Sequence, residues 1–109
     1  MSRIAFDIDD TLIKHEPGKE ACPDYELIFV LKWFVNNGHE VLVWSGGGID
    51  YASKWVSKLG IQNIVTVVSK EDKHNVDIAF DDMRHCELGK VTIIVPRDYY
   101  TGEDDGFIC

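Results

Sequence analysis

Nothing in this sequence approaches the roughly 18 consecutive apolar residues that a membrane-spanning helix needs, so no membrane partner is expected. Its opening, Met1-Ser2-Arg3, runs straight into a short apolar stretch, without the basic-then-apolar pattern of a secretory leader. Cysteine is scarce. Cys22, Cys86 and Cys109 are odd in number and show no C-x-x-C spacing. That argues against a disulfide framework and a zinc site, and it suits a reducing cytoplasm. Basic residues are also few, 11 Lys and Arg against 19 Asp and Glu, for a net charge of −8. A nucleic-acid binder normally carries a basic stripe, and none is visible. Internal repeats and linkers are missing too, so the 109 residues are expected to form one domain.

What is present suffices for one modest core, since 45% of the residues are hydrophobic. The acidity has two candidate sources, a cation-binding cluster or ordinary solubilising charge, and position along the chain separates them. The apolar run Arg3-Ile4-Ala5-Phe6-Asp7 reads as a strand, followed by a charged, Gly- and Pro-containing loop over residues 13–23. A helix starts at Asp24, a good N-cap, with Leu27, Val30, Leu31 and Phe34 at helical spacing, and it ends at Asn36-Asn37-Gly38. Glu40-Val41-Leu42-Val43-Trp44 is an unbroken apolar run of the kind buried on both faces of a sheet. The turn Ser45-Gly46-Gly47-Gly48 leads into a second helix over residues 50–59, closed by Gly60, and further strands are expected at 63–68, 77–80 and 90–95. Short strands alternating with helical segments imply an α/β domain built on a parallel sheet. The acidic residues 97–109 show no period and are expected to be only loosely ordered.

Ligands of such sheets bind where the carboxyl ends of the strands gather their loops. The first strand ends in Asp7-Ile8-Asp9-Asp10-Thr11-Leu12. Leaving the strand, Asp7 and Asp9 are expected to point the same way, because side chains repeat every second residue, and two adjacent carboxylates repel unless a cation or proton lies between them. Hard oxygen donors of this kind suit Mg²⁺. The alternative is that these acids cap helices or solvate a turn. The strand at 77–80 runs into a second acidic pair, Asp81-Asp82, which meets the first if the two strands are neighbours. Ser45, Gly46 and Gly47 combine a hydroxyl, backbone amides and a helix N-terminus, a combination suited to phosphate. Such a turn can also be glycine-rich merely to be tight.

These motifs resemble those of the haloacid dehalogenase superfamily of phosphohydrolases. Phe6-Asp7-Ile8-Asp9-Asp10-Thr11-Leu12 is similar to its first motif, Asp-x-Asp-x-Thr/Val after an apolar strand, where glycine is commoner at the place of Asp10. Val41-Leu42-Val43-Trp44-Ser45 resembles the second motif, and Ile78-Ala79-Phe80-Asp81-Asp82 the fourth, in the same order along the chain. For the motif lysine, Lys73 in Lys73-His74-Asn75-Val76-Asp77 is the favoured match, with Lys70 as the alternative. The resemblance implies a Rossmann-like three-layer α/β/α domain with a five-stranded parallel sheet in the order 3-2-1-4-5. It implies no cap domain, since neither residues 12–23 nor residues 69–76 leave room for one.

It further implies a Mg²⁺-dependent phosphomonoester hydrolase. Asp7 would be the nucleophile that forms an aspartyl-phosphate and Asp9 the general acid and base. Mg²⁺ would lie on Asp7, the Asp9 carbonyl and Asp82, with Asp81 in support. Ser45, Gly46, Gly47 and the lysine would bind the phosphoryl group, while Thr11 would order its loop by hydrogen bonding. The expected partner is a phosphorylated substrate, a small molecule or the exposed end of a larger one, in an open site that a homo-oligomer would help to close. Lys14, His15 and Lys19 either touch that substrate or are simply solvated. A phosphotransferase of the same fold and a non-catalytic phosphate-binding module are the competing readings. A phospho-receiver domain would need an Asp where Val68-Ser69 stands and a lysine where Pro96-Arg97 stands.

Overall fold

The computed structural model describes residues 1–82 and 87–97; Cys86, Cys109 and the acidic segment beyond Arg97 lie outside the described residues. In chain order the elements are β1 (Arg3–Asp7), β2 (Ile13–Lys14), β3 (Cys22–Pro23), α1 (Tyr25–Asn36), β4 (Glu40–Trp44), α2 (Ile49–Lys58), β5 (Thr66–Val67), β6 (Ile78–Asp81) and β7 (Val91–Ile94). Five of the strands make one sheet in the order β5-β4-β1-β6-β7, and every pairing in it is parallel. The fold is therefore α/β, with β1 at the centre. Among the described residues no helix is long and apolar enough to cross a membrane.

Parallel neighbours require crossovers, and crossovers are right-handed. From β1 to β4 to β5 the chain steps in one direction, which puts α1 and α2 on the same face. There Ile4, Phe6, Val41 and Val43 of the sheet pack with Ile28, Leu31, Ala52 and Val56 of the helices. Phe6 and Phe80 stack at 4.5 Å between centroids, and Phe34 meets Phe6 edge-on at 6.4 Å. From β5 to β6 to β7 the chain steps the other way and crosses the opposite face. Among the described residues that second layer is loop, with Val68, Val76 and Leu88 on a floor of Ala5, Leu42, Trp44 and Ala79. The polar stretch from Ser69 to Asn75 has no apolar period from which to build a helix. The alanines of the floor let this loop lie close to the strands.

Asp24 caps α1 as expected, its Oδ1 accepting the Glu26 and Leu27 amides at 3.1 Å each, and Gly38 is left-handed at φ 82°. Three expectations are corrected. The strand expected at 63–68 is reduced to Thr66–Val67, because the Ile64 amide turns back to the Ile61 carbonyl at 3.1 Å. The loop at 13–23 contains an antiparallel hairpin, with Ile13 opposite Pro23 and Lys14 opposite Cys22. Arg97, assigned to a loosely ordered tail, is an anchor. Its side chain is 8% exposed, and it donates to the Asp10 carbonyl at 2.8 Å, the Thr11 carbonyl at 2.9 Å and Asp24 Oδ2 at 2.9 Å. One guanidinium thus joins the end of the sheet, the loop after β1 and the start of α1, which its planar fork of donors allows.

Removing one partner of a buried ion pair strands the other. Arg97→Met is expected to lower stability by about 3 kcal/mol in urea denaturation. Arg97→Lys should recover only part of this, since one ammonium cannot span all three acceptors.

Candidate active site

The site follows from sheet register. Ile4, Ala5 and Phe6 of β1 lie opposite Ile78, Ala79 and Phe80 of β6, so one further step sets Asp7 beside Asp81. On the other side Asp7 lies opposite Trp44, which places Ser45 next to it at the end of β4. Side chains alternate along a strand, and Ala5 and Ala79 face the loop-covered layer; Asp7 and Asp81 repeat that orientation. Asp7 is 5% exposed and Asp81 is fully buried. Asp7, Asp81 and Asp82 form a group in which one carboxylate oxygen from each lies within 4.8 Å of the others.

The lysine that reaches this group is Lys70, from the loop crossing the second face. Its Nζ lies 2.7 Å from Asp81 Oδ2 and 3.3 Å from Asp7 Oδ1. Lys73, the favoured match, is exposed and lines a cavity of about 610 Å³ with Trp44, His74 and Lys90, among others. The loop is pinned at its apolar ends, Val68 and Val76, and His74 Nε2 lies 2.7 Å from the Ser69 carbonyl oxygen. That path turns Lys70 inward. Burial alone would depress the Lys70 ammonium, but the charges of Asp7 and Asp81 and hydrogen bonds to both hold its pKa above the usual value.

Asp7 is pushed the other way, up to about 8, chiefly by burial and then by the charge of Asp81, with Lys70 only partly offsetting them and Asp82 adding to the rise. A group of hard carboxylate donors in which one member holds its proton at neutral pH is the donor set a divalent cation fits. Bound there, the ion would let Asp7 ionise.

Asp9 is placed differently from the expectation of period two. The chain leaves the extended conformation at Ile8, whose carbonyl accepts from the Thr11 and Ile13 amides at 3.2 and 3.1 Å. Asp9 therefore turns away from Asp7. Its Oδ1 accepts from the Tyr51 hydroxyl of α2 at 2.6 Å and lies 2.7 Å from His15 Nε2 of the hairpin loop. Its carboxylate stands outside the group of Asp7, Asp81 and Asp82. The Tyr51 hydroxyl is pushed up to about 12 by burial and by its hydrogen bond to Asp9, so it stays protonated. Tyr51 is the residue that the sequence reading missed. The available signal was its position in the first turn of the helix that follows the glycine turn.

Ser45 is buried, and its Oγ accepts the Gly47 amide at 3.0 Å while its carbonyl accepts the Gly48 amide at 3.1 Å. The Gly47 amide is thus engaged within the turn, and the Ser45 hydroxyl hydrogen is left to donate. A Cβ on Gly47 would come within 3.1 Å of the Tyr51 ring, which explains glycine there. Asp10 is left-handed at φ 57°, which accounts for a position where glycine is commoner; its Oδ1 accepts the His15 amide at 3.0 Å. Thr11 does order the loop, but through its backbone: among the described residues its buried Oγ1 has no partner. Lys19 pairs with Glu16 at 3.0 Å.

Compared with family models, curated proteins and solved structures, the chain matches none.

The Asp7 shift has a consequence for stability. Folded Asp7 holds its proton to about pH 8, whereas the unfolded value is 3.8. The native state therefore binds more protons across that window, and stability falls as pH rises from about 4 to 8. Thermal melts in chelator should show this decline. Added Mg²⁺ should flatten it and stabilise most at the alkaline end, because binding releases the proton.

Proposed function

We propose that this chain is a Mg²⁺-dependent phosphomonoester hydrolase that works through an aspartyl-phosphate on Asp7. The observation that carries this reading is the convergence of Asp7, Asp81, Asp82 and Lys70 at the carboxyl ends of β1 and β6, beside the Ser45 turn. We read the domain as a reduced, capless form of the doubly wound plan of the haloacid dehalogenase superfamily, with loop in place of helix over the second face among the described residues. The hairpin at 13–23 is the largest excursion near the site among the described residues. An exposed free Cys22 is compatible with a reducing cytoplasm.

In the first step an Asp7 oxygen attacks phosphorus from the side opposite the leaving oxygen. The P–O bond to the leaving group breaks, and Asp9 delivers its proton to that oxygen. In the second step water attacks phosphorus, Asp9 takes the proton of the water, and Asp7 leaves as a carboxylate with inorganic phosphate released. Ser45 donates to a phosphoryl oxygen through its hydroxyl, and Lys70 neutralises charge on the phosphoryl group and the nucleophile. Asp7, Asp81, Asp82 and the Asp9 carbonyl would hold Mg²⁺, which when bound supplies charge neutralisation and polarises a phosphoryl oxygen.

Phosphate release from p-nitrophenyl phosphate and a panel of nucleotides and sugar phosphates tests this. Turnover is expected to need Mg²⁺ and to vanish in Asp7→Asn. Lys70→Met is expected to cost at least about 100-fold in kcat, as for the loss of a preorganised donor, while Lys73→Met changes it less than about threefold. Robust turnover in Asp7→Asn, or the reverse ranking of the lysines, would overturn these assignments. Phosphate appearing on an added alcohol in place of water would move the reading to a phosphotransferase.

A further inference from the structure

The two donors on Asp9 come from different parts of the fold. Tyr51 belongs to the first turn of α2, and His15 to the loop of the hairpin that follows β1. Both lie on the same oxygen, Oδ1, at 2.6 and 2.7 Å. The Asp9 side chain is 43% exposed, so packing does not hold it. A carboxyl in that position rotates freely unless hydrogen bonds fix it, and two donors converging on one oxygen fix both its plane and which edge faces outward. The Tyr51 ring lies beside the Gly47 turn, where an added Cβ would come within 3.1 Å of it. Tyr51 thus connects the phosphate-binding turn to the acid that would protonate the leaving group.

We infer that Tyr51, with His15, is a positioning residue that presents the Oδ2 edge of Asp9 to the leaving oxygen, and that the site is accordingly built for phosphomonoesters of alcohols. This rests on the phosphatase reading above. A pre-oriented acid matters in proportion to the basicity of the oxygen that departs. An alkoxide needs its proton in the transition state, whereas a nitrophenolate leaves without one. An acid anchored by two side chains from separate elements is of little use to a site whose substrates leave unaided.

The test compares an alkyl phosphate with p-nitrophenyl phosphate at saturating Mg²⁺, using Tyr51→Phe, His15→Ala and Asp9→Asn. Tyr51→Phe keeps the ring against Gly47, so folding is retained, and a thermal melt checks this. Its kcat/KM on the alkyl ester, which reports departure of the leaving oxygen and not the later hydrolysis of the aspartyl-phosphate, is expected to fall about tenfold, within the 10²–10⁴-fold that the acid itself supplies. On p-nitrophenyl phosphate kcat/KM should change less than about twofold, while kcat falls on both esters wherever hydrolysis of the aspartyl-phosphate, which also uses Asp9, limits turnover. His15→Ala should show the same split, and Asp9→Asn the same split enlarged. Equal losses in kcat/KM on both esters would mark Tyr51 as merely structural and overturn the inference, as would no loss on either. If the wild-type protein releases phosphate from both esters and only the split is missing, the positioning role alone fails. If it releases phosphate from neither, the phosphatase reading fails, and this inference with it.

Discussion

Asp7 and Asp81 are two carboxyl groups out of water and side by side, joined by a single ammonium among the described residues, that of Lys70. Moving such groups into a protein costs several kcal/mol each, and their mutual repulsion adds to it. The sheet imposes the arrangement. With β1 between β4 and β6 in parallel register, neither acid can withdraw without breaking the central strand. The alanines at 5 and 79 let the segment between β5 and β6 approach closely enough for Lys70 to reach both oxygens. Lys70 does not balance the cluster, since Asp7 still rises to about 8. Apolar side chains at these positions would make a more stable protein, which is why the cluster is read as a site and not as part of the core.

A second constraint holds the acids' loop. A left-handed residue at Asp10, a turn at Ile8 and a buried threonine with an unpartnered hydroxyl are all costly for so short a segment. Arg97 compensates by binding the Asp10 and Thr11 carbonyls while pairing with Asp24, whose other oxygen caps α1. Strand end, loop and helix start are thereby set relative to one another by one side chain. Lys70 and Arg97 act separately. Lys70 carries charge into the acidic cluster, and Arg97 shapes the loop beside it without reaching the cluster.

The positions at strand ends were legible because they depend on local pattern alone. Apolar runs closed by Asp7, Ser45 and Asp81 needed only a parallel sheet to bring them together, and the sheet is there. What was not legible depended on paths between elements. Choosing Lys73 over Lys70 meant counting along a loop, whereas the inward residue is set by where Val68 and Val76 pack. Placing Asp9 beside Asp7 assumed an extended chain past Ile8, and backbone hydrogen bonds there close a turn. Arg97 sits in an acidic, aperiodic stretch, and its three partners lie more than 70 residues away along the chain. Tyr51 reads as one more aromatic on a helix until the glycine turn beneath its ring is seen.

The displacement of Asp9 from the cluster bears on how one site can run two kinds of chemistry. Asp7 has a side chain 7% exposed and lies among other acids; Asp9 is 43% exposed and lies between the Tyr51 hydroxyl and the His15 ring. In the proposed reaction Asp7 must be a carboxylate when phosphate arrives, and its burial beside Asp81 and Asp82 would make that depend on a cation. A group that gives and then recovers a proton must instead exchange with solvent, and it needs orientation more than burial. Had the chain continued extended past Ile8, both acids would have shared one field, and a cation binding there would have held both ionised. The turn at Ile8 separates the two environments within a few residues, and in the proposed reaction that separation lets a nucleophile and a proton carrier work side by side.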